Sequence, residues 1–455
     1  MAKRFLVSTL SWLFLGVLGL SAQTPNLDGS WEGKLMINPE MGLRLVVNIT
    51  GSEEEAVVTM DSPDQGAYGI PMQIEYVSSD SLNVTVPQLM LKYKGKLQGD
   101  SIKGDFSQGP LNLPLNLKRK VTTLNRPQTP QPPFPYITEE VVFPSALDNA
   151  ILFGTLSIPD SKIKETPAVL LVSGSGTQNR DEEIFEHKPF AVIADYLARN
   201  GIASLRYDDR GFDKSTGLSP NPTTYENSMD ALGGINFLKE RGFSKIGIIG
   251  HSEGGLIADK VANMGNLVDF IVEIGGPTLP GDRILIFQND FLLRDGGLPE
   301  EYIEMYIDAM KGMFESQKEN NPIAFDETNY AIFSSENLSN PVVAPLAKNL
   351  RETFSNLAPW LKYFINYDPM ADIKNISVPI LMLYGEKDKQ VPPSLNVPVL
   401  IDNIQPINVK VYPELNHLMQ HAATGKINEY AEIEETISPE VLEDIRSFIQ
   451  KVNSN

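Results

Sequence analysis

A serine lies between glycines in the segment Gly250-His251-Ser252-Glu253-Gly254-Gly255. The mostly apolar run 245–249 before it indicates a strand, and residues 256–261 can continue as a helix. A Gly-x-Ser-x-Gly pattern between a strand and a helix is typical of a sharp turn that exposes the serine hydroxyl. Glycine is needed there because strand and helix cross too closely for a Cβ. We therefore expect Ser252 to be a nucleophile; packing or phosphate binding is the alternative for such a turn.

A nucleophilic serine needs a general base and a carboxylate that orients the base. The chain contains four histidines. His417 follows the last predicted core strand, and Asp388 follows the strand before it. The order Ser252, Asp388, His417 is a known nucleophile–acid–base order, and loops at one sheet edge can bring the three together. His421 stays open as the base and Glu386 as the acid, and purely structural roles are the alternative for each.

Catalysis by such a serine also needs two backbone donors for the negatively charged oxygen of the intermediate. One should be the N–H of Glu253, directly after the nucleophile. The other should come from the loop 173–176 after the apolar run 168–172, with Ser175 as the expected donor. Charged segments at 180–181 and 208–210 lie near this loop in sequence, and we interpret them as ion pairs that hold loops together.

The elements that position these residues alternate between strand and helix, which predicts a largely parallel sheet covered by helices. In such a sheet the site lies at the carboxyl ends of the strands. Three polar, glycine-rich loops are expected there: 173–181, 208–215 and 250–255.

Residues 277–367 interrupt this alternation and are helical in character and rich in aromatic side chains. An insertion of this length between two core strands can fold over the site as a cap. Most of its aromatic residues should pack the cap's own helices. A few should line a substrate pocket.

Residues 1–22 have the features of a signal peptide, with Lys3-Arg4, an apolar stretch from Phe5 to Leu20 and small residues before Gln23. The alternative is an uncleaved anchor, for which the stretch is short. We expect an exported protein, periplasmic or secreted, without a stable membrane anchor. The chain has no cysteine, which excludes disulfides, zinc–thiolate sites and thiol catalysis.

Residues 28–119 contain eight short alternating segments separated by turn residues, which predicts an antiparallel barrel or sandwich. Gly29-Ser30-Trp31 resembles the Gly-x-Trp opening of lipocalin-like barrels. A ligand-binding barrel is one interpretation, and a packing tryptophan in a supporting domain is the one we favour. The predicted strands are 31–37, 43–50, 56–60, 72–77, 82–86, 91–97, 102–106 and 111–118.

Five prolines between Arg126 and Pro135 predict an extended linker at 120–136, followed by the second domain at 137–455. A chain of 455 residues is long for one core, which also favours two domains. The formal net charge of −20 argues against a nucleic-acid partner. We expect no cofactor and no metal. The oligomeric state stays open.

Together these motifs resemble the α/β-hydrolase superfamily and are most similar to bacterial exported esterases grouped with serine aminopeptidase-like hydrolases. The resemblance covers about 138–452 and implies a doubly wound, mostly parallel sheet with a helical cap. A small all-β domain, which residues 60–66 resemble, precedes this fold in some of these esterases. In this sequence Ser173 begins the oxyanion loop where many relatives have histidine. The motifs are 173–176, 206–211, 250–255, 385–388 and 415–417.

The resemblance and the residues together predict a serine hydrolase that cleaves a carboxylic ester of a small molecule, with a short acyl group or a carbohydrate-linked ester. An aminopeptidase or amidase is the alternative, and it should hold a carboxylate near the cap to bind a free amine. A non-catalytic binding protein with an inactive hydrolase fold is the alternative of another class.

Overall fold

The computed structural model describes most of the chain, and the predicted signal peptide at residues 1–22 lies outside the described residues. The chain folds into two compact units, one within residues 17–123 and a larger one that contains residues 124–455. The described ranges are 27–36, 42–51, 56–62, 67–109, 111–119, 125–159, 163–217, 222–318, 324–355, 357–404 and 408–454.

The first unit is a closed antiparallel β-barrel, as the alternating sequence predicts. Neighbouring strands pair from β1 to β7, and β9 joins β7 back to β1, which closes the sheet. Side chains alternate between the apolar interior and solvent, as in β5. The strands are β1 Gly29–Met36, β2 Gly42–Thr50, β3 Val57–Ser62, β4 Ala67–Val77, β5 Ser81–Val86, β6 Leu91–Gln98, β7 Ser101–Gln108, β8 Leu111–Pro114 and β9 Leu117–Arg119.

The predicted last strand, 111–118, is in fact two strands. Between them, the Leu115 N–H donates a hydrogen bond to the Gly104 carbonyl at 2.8 Å. The interruption also brings the Asn116 carbonyl close to β1, where a Cβ on Gly33 would lie 2.4 Å from it. The glycine therefore allows the chain to pass at the point where the barrel closes.

Trp31 is a packing residue of the barrel. Its side chain is fully buried in the apolar core, and its indole N–H donates to the Leu27 carbonyl at 2.7 Å. The Arg119 guanidinium lies 4.3 Å from the ring centroid. These contacts favour the packing interpretation, because the polar edge and one face of the indole are already occupied by protein groups.

The second unit contains an eight-stranded sheet in the order β10-β11-β13-β12-β14-β15-β16-β17. β10 and β11 are antiparallel to their neighbours, and the other strands are parallel. The central strands β12, β14 and β15 are buried along their whole length and mostly apolar, because both faces of the sheet are covered. The strands are β10 Ile137–Pro144, β11 Ile151–Ile158, β12 Ala168–Val172, β13 Ala203–Tyr207, β14 Ile246–His251, β15 Phe270–Ile274, β16 Ile380–Gly385 and β17 Asn408–Tyr412.

Helices cover both faces of this sheet, which confirms the predicted doubly wound arrangement. Two apolar clusters form, one with α2 and α3 on one face and one with α1 and α11 on the other. The helices are α1 Pro189–Arg199, α2 Thr224–Glu240, α3 Glu253–Asn263, α4 Gly281–Asp295, α5 Glu300–Gln317, α6 Ser335–Ser339, α7 Val343–Ser355, α8 Pro359–Asn366, α9 Met370–Ile373, α10 Pro393–Asn403 and α11 Pro439–Asn453.

The cap consists of α4 to α8, inserted between β15 and β16. Its aromatic and aliphatic side chains form a separate apolar cluster that includes Tyr306, Phe314 and Phe364. Most of the aromatic residues thus pack the cap itself, as the composition predicts.

The proline-rich segment is fastened to the second unit by polar contacts that the sequence does not predict. The Arg126 guanidinium donates to the carbonyls of Phe185 at 2.8 Å, Ala431 at 2.9 Å and Ile433 at 2.8 Å. The Gln128 side-chain amide donates to the Ile437 carbonyl at 2.8 Å. This part of the predicted spacer therefore braces two loops of the hydrolase unit.

Two carboxyl groups, Asp259 on α3 and Glu273 on β15, are completely buried beside each other. No donor in the described part of the chain contacts either group. Burial raises the pKa of Glu273 to about 7. Burial and the charge of Glu273 hold the pKa of Asp259 well above its usual range. The two groups therefore retain protons at a pH where exposed carboxyls are ionised.

This pair predicts a pH-dependent stability. An unfolded glutamate titrates near pH ~4.3, so the folded state binds more protons than the unfolded state between about pH 4.3 and the pKa of about 7 for Glu273. The free energy of unfolding should fall as pH rises through this window. Glu273→Gln should remove about 3–4 kcal/mol of that fall, because one titrating group with a pKa of about 7 is lost. Urea unfolding across this pH range measures the effect.

The exposed Glu240→Gln is the control and should keep the wild-type slope. Identical pH dependence in wild type and Glu273→Gln would contradict the assignment.

Candidate active site

Ser252 lies at a strained turn between β14 and α3. Its backbone has φ 53° and ψ −121°, a left-handed conformation that costs a non-glycine residue about 1–3 kcal/mol. Its N–H donates to the Ile274 carbonyl at 2.9 Å, which holds the turn. A Cβ on Gly250 would lie 2.1 Å from the Gly254 carbonyl oxygen, and one on Gly254 2.1 Å from that of Val172. The glycines are therefore required by close crossing, as the sequence predicts.

His417 and Asp388 form a buried hydrogen-bonded pair. The distance from His417 Nδ1 to Asp388 Oδ2 is 2.6 Å, and the two residues are 3% and 1% exposed. The other oxygen of Asp388 accepts the backbone N–H groups of Gln390 at 2.7 Å and Val391 at 2.8 Å. A carboxylate held in this way fixes the proton on Nδ1 and leaves Nε2 with its lone pair free to act as a base.

One cavity of about 120 Å³ brings Ser252 and His417 together with Ser175 and Glu253. The structure thus places the predicted nucleophile, the predicted base and the two residues expected to donate to the oxyanion around the same space, with Asp388 behind His417. Side chains of the cap also line it, among them two aromatic ones. The cap residues are Ile284, Leu285, Gln288, Trp360 and Phe364.

The alternative base and acid lie elsewhere. His421 is exposed, and its Nδ1 bonds to Glu435 at 2.8 Å. His187 is buried between Thr436 and the Tyr430 carbonyl, each 2.9 Å from a ring nitrogen. Neither histidine lines the cavity that contains Ser252, and Glu386 does not line it either.

The loop that is expected to supply the second oxyanion donor runs directly beside Ser252. A Cβ on Gly174 would lie 3.1 Å from the Cβ of Ser252. The half-buried Asp209 carboxyl braces this loop by accepting the Ser173 hydroxyl at 3.1 Å and the Gln178 N–H at 2.8 Å. Burial raises the pKa of Asp209 well above its usual range. Within the described chain the Ser175 N–H has no hydrogen-bond acceptor, so it is available to a ligand.

The charged segments beside this loop form ion pairs, as the sequence interpretation favours. Arg180 contacts Asp208 at 2.6 Å, and Arg210 contacts Asp230 at 2.6 Å, with both carboxylates buried. These pairs hold the loops that follow β12 and β13. Asp209 is the exception, since its contacts go to the oxyanion loop.

Glu182 and His251 are site residues to which the sequence motifs assign no role. The Glu182 carboxylate accepts His251 Nδ1 and the Gly174 N–H, each at 2.8 Å. The other ring nitrogen of His251 lies 3.1 Å from the His417 carbonyl. Burial opposes a charge on His251, but the Glu182 carboxylate outweighs it and raises the pKa of His251. This chain of contacts joins the oxyanion loop to the backbone of the base.

The Glu253 side chain also takes part in the site, although the sequence assigns a role only to its N–H. Its carboxylate is 2% exposed and accepts hydrogen bonds from Ser175, Thr224 and Trp360. Burial raises the pKa of Glu253. No pattern in the sequence indicates these partners.

Among the described residues, no group of three or more histidine or carboxylate side chains is arranged so that it could hold a metal ion. No helix among those residues is long and apolar enough to cross a membrane.

A mostly parallel eight-stranded sheet with a serine at a strained strand-to-helix turn and a helical cap is the architecture of an α/β hydrolase. The chain belongs to the alpha/beta hydrolase family, whose profile matches residues 169–428. The resemblance inferred from the sequence motifs is therefore confirmed.

A curated relative, esterase EstD of Thermotoga maritima, is 28% identical over 274 residues, which are 58% of this chain and 57% of the relative. The chain thus spans a little more than half the length of that protein. Among solved structures, esterase Pf2001 of Pyrococcus furiosus is 17% identical with a TM-score of 0.43, covering 72% of this chain and 97% of that one. Est1E of Butyrivibrio proteoclasticus with ferulic acid bound is 15% identical with a TM-score of 0.41, covering 69% and 100%.

The contact between Glu182 and His251 predicts that substitution of Glu182 changes the pKa of His251. Glu182→Gln removes the negative charge that raises the pKa of His251 and leaves the effect of burial. The pKa of His251 should fall, because burial then acts without the opposing carboxylate. NMR titration of selectively labelled histidine rings measures it.

Glu183→Gln is the matched control, because the Glu183 carboxylate lies near Lys188, 3.4 Å away. It should leave the His251 titration unchanged. An unaltered pKa in Glu182→Gln would show that Glu182 does not set the charge of this histidine.

Proposed function

We propose that the chain is a serine hydrolase that cleaves carboxylic esters through an acyl-enzyme intermediate. The observation that carries this proposal is the buried His417–Asp388 pair, which shares one cavity with the strained Ser252. Membership of the alpha/beta hydrolase family and the similarity to an esterase of Thermotoga maritima support it.

In the first half-reaction His417 Nε2 takes the proton of the Ser252 hydroxyl as its oxygen attacks the ester carbonyl. Asp388 holds the ring in place and stabilises the imidazolium that forms. The N–H groups of Glu253 and Ser175 bind the oxygen of the tetrahedral intermediate. His417 then passes its proton to the leaving alkoxy group, the C–O bond breaks, and the alcohol departs.

In the second half-reaction water takes the place of the alcohol. His417 removes a proton from water as the water oxygen attacks the acyl carbon of the Ser252 ester. The second tetrahedral intermediate collapses, and the proton returns to the Ser252 oxygen as the free acid leaves. The small cavity and its apolar side chains, such as Ile284 and Leu285, favour a short acyl group.

The cavity also gives an observation that favours a second candidate, hydrolysis of an amide next to a free amine. Three glutamates line it, and no lysine or arginine in the described chain does. Glu182 and Glu253 are engaged in buried hydrogen bonds, whereas Glu183 is exposed and has only the longer contacts with Lys188 at 3.4 Å and Asn179 at 3.2 Å, so it is the carboxylate that a cationic group would approach. If this candidate holds, kcat/KM for alanine p-nitroanilide exceeds that for p-nitrophenyl butyrate; the ester proposal requires the reverse.

Ser252→Ala tests the ester proposal directly. Removal of the nucleophile should lower the rate on p-nitrophenyl acetate and butyrate by roughly 10⁶-fold, to the level that binding and oxyanion contacts alone support. The purified wild type and variant are compared in the same assay. Equal hydrolysis by both above the buffer rate would mean that Ser252 is not the nucleophile, and hydrolysis at the buffer rate in both would favour a non-catalytic binding protein.

The base is tested by a matched pair of histidine variants. His417→Ala should abolish turnover, because His251, the other histidine that lines the cavity, has its two ring nitrogens engaged by Glu182 and by the His417 carbonyl. His421→Ala, four residues further on and exposed, should keep wild-type kcat. The opposite result would assign the base to His421.

A further inference from the structure

The carboxylate of Glu253 joins three elements that meet at the site. Its Oε2 accepts the Ser175 hydroxyl at 2.7 Å, and its Oε1 accepts the Thr224 hydroxyl at 2.6 Å. The indole N–H of Trp360 donates to both oxygens, at 3.0 and 2.9 Å. Ser175 belongs to the oxyanion loop after β12, Thr224 begins α2, and Trp360 lies on the cap helix α8.

Burial of this carboxylate costs free energy, because the group loses its hydration. It is fully buried at the start of α3, and its described contacts are neutral donors with no cation among them. A buried carboxylate without a counter-ion persists only where hydrogen bonds replace its hydration. Three donors from three elements do so here, which makes each of them dependent on the others.

We propose that the Glu253 carboxylate is a positioning group that couples the cap to the oxyanion hole. Trp360 holds the carboxylate from the cap, and the carboxylate holds the hydroxyl of Ser175. The Ser175 N–H is thereby fixed beside Ser252. The role deepens the proposed function, because it concerns the oxyanion donors of the same reaction.

The geometry also links the substrate to this network. Trp360 stacks on Phe364 with ring centroids 5.0 Å apart, and both rings line the cavity. A substrate that packs against these rings keeps the indole N–H on Glu253. Contact between the acyl group and the cap therefore helps to align the Ser175 N–H with the reacting carbonyl.

Single substitutions give different kinetic results if this coupling operates. Ser175→Ala removes the hydroxyl but keeps the backbone N–H, so kcat should fall about tenfold with little change in KM. Trp360→Phe removes the indole N–H and keeps an aromatic ring in the cavity. Its kcat should also fall about tenfold. A residue that only lines the pocket would change KM instead.

The decisive experiment is a double-mutant cycle on kcat/KM with Ser175→Ala and Trp360→Phe. Because both act through Glu253, the double variant should be at least about threefold more active than the product of the single effects predicts. In a Glu253→Gln background the two substitutions should add, since the amide cannot accept from all three donors. Additive effects in the wild-type background would overturn the proposal.

Tyr363→Phe is the matched control, because it removes one polar group from the same helix without lining the cavity. It should combine additively with Ser175→Ala. Coupling of the same size in this control would attribute the result to general disturbance of α8 and would overturn the specific role of Glu253.

A readout independent of activity separates this proposal from the proposed function. In the chain labelled with 5-fluorotryptophan, the Trp360 fluorine resonance is the one that Trp360→Phe removes. Ser175→Ala should shift it, and the shift should disappear in Glu253→Gln. An unmoved resonance contradicts the coupling even if the wild type is an active esterase. If Ser175→Ala shifts the resonance but the wild type has no esterase activity, the coupling stands and only the ester proposal is refuted.

Discussion

The close crossing of β14 and α3 at Ser252 is the constraint on which the rest of the site depends. Glycines at 250 and 254 let backbone atoms approach where any Cβ would collide, at 2.1 Å in both cases. At this crossing Ser252 is held in a left-handed conformation, with φ 53°. The strain is sustained by neighbouring strands, since the Ser252 N–H is bound by the carbonyl that ends β15.

Around this turn, buried charge is used to fix geometry. Asp388 fixes His417 from behind, and Glu182 fixes both His251 and the oxyanion loop. Each carboxylate is nearly inaccessible to solvent, so the free-energy cost of its burial is offset only while every hydrogen-bond donor stays in place. Such networks favour one arrangement of the loops, which is what a reaction that depends on sub-ångström alignment needs.

The sequence predicts those parts of the molecule whose causes are local. The glycine pattern at 250–255, the apolar strands and the alternating barrel strands all follow from steric limits or periodicity within a few residues. Ser252, Asp388 and His417 each lie shortly after the end of a parallel strand, which brings them to one edge of the sheet.

The remaining features depend on residues far apart in the chain, which no local pattern records. Ser175 and Glu253 are separated by 78 positions, and Trp360 and Glu253 by 107. The contact of Arg126 with Ile433 joins residues 307 positions apart. Likewise, the break between β8 and β9 is accompanied by the approach of the Asn116 carbonyl to Gly33 on another strand.

The most direct measurement of the central claim is mass spectrometry of the chain after reaction with a p-nitrophenyl phosphonate, which traps an activated serine. We expect one phosphonyl group per chain, carried by the peptide that contains Ser252. Labelling should be lost in His417→Ala, because the base is needed to activate the hydroxyl. An adduct on another residue, or a labelling rate unchanged in His417→Ala, would contradict the assignment of Ser252 as a nucleophile activated by His417.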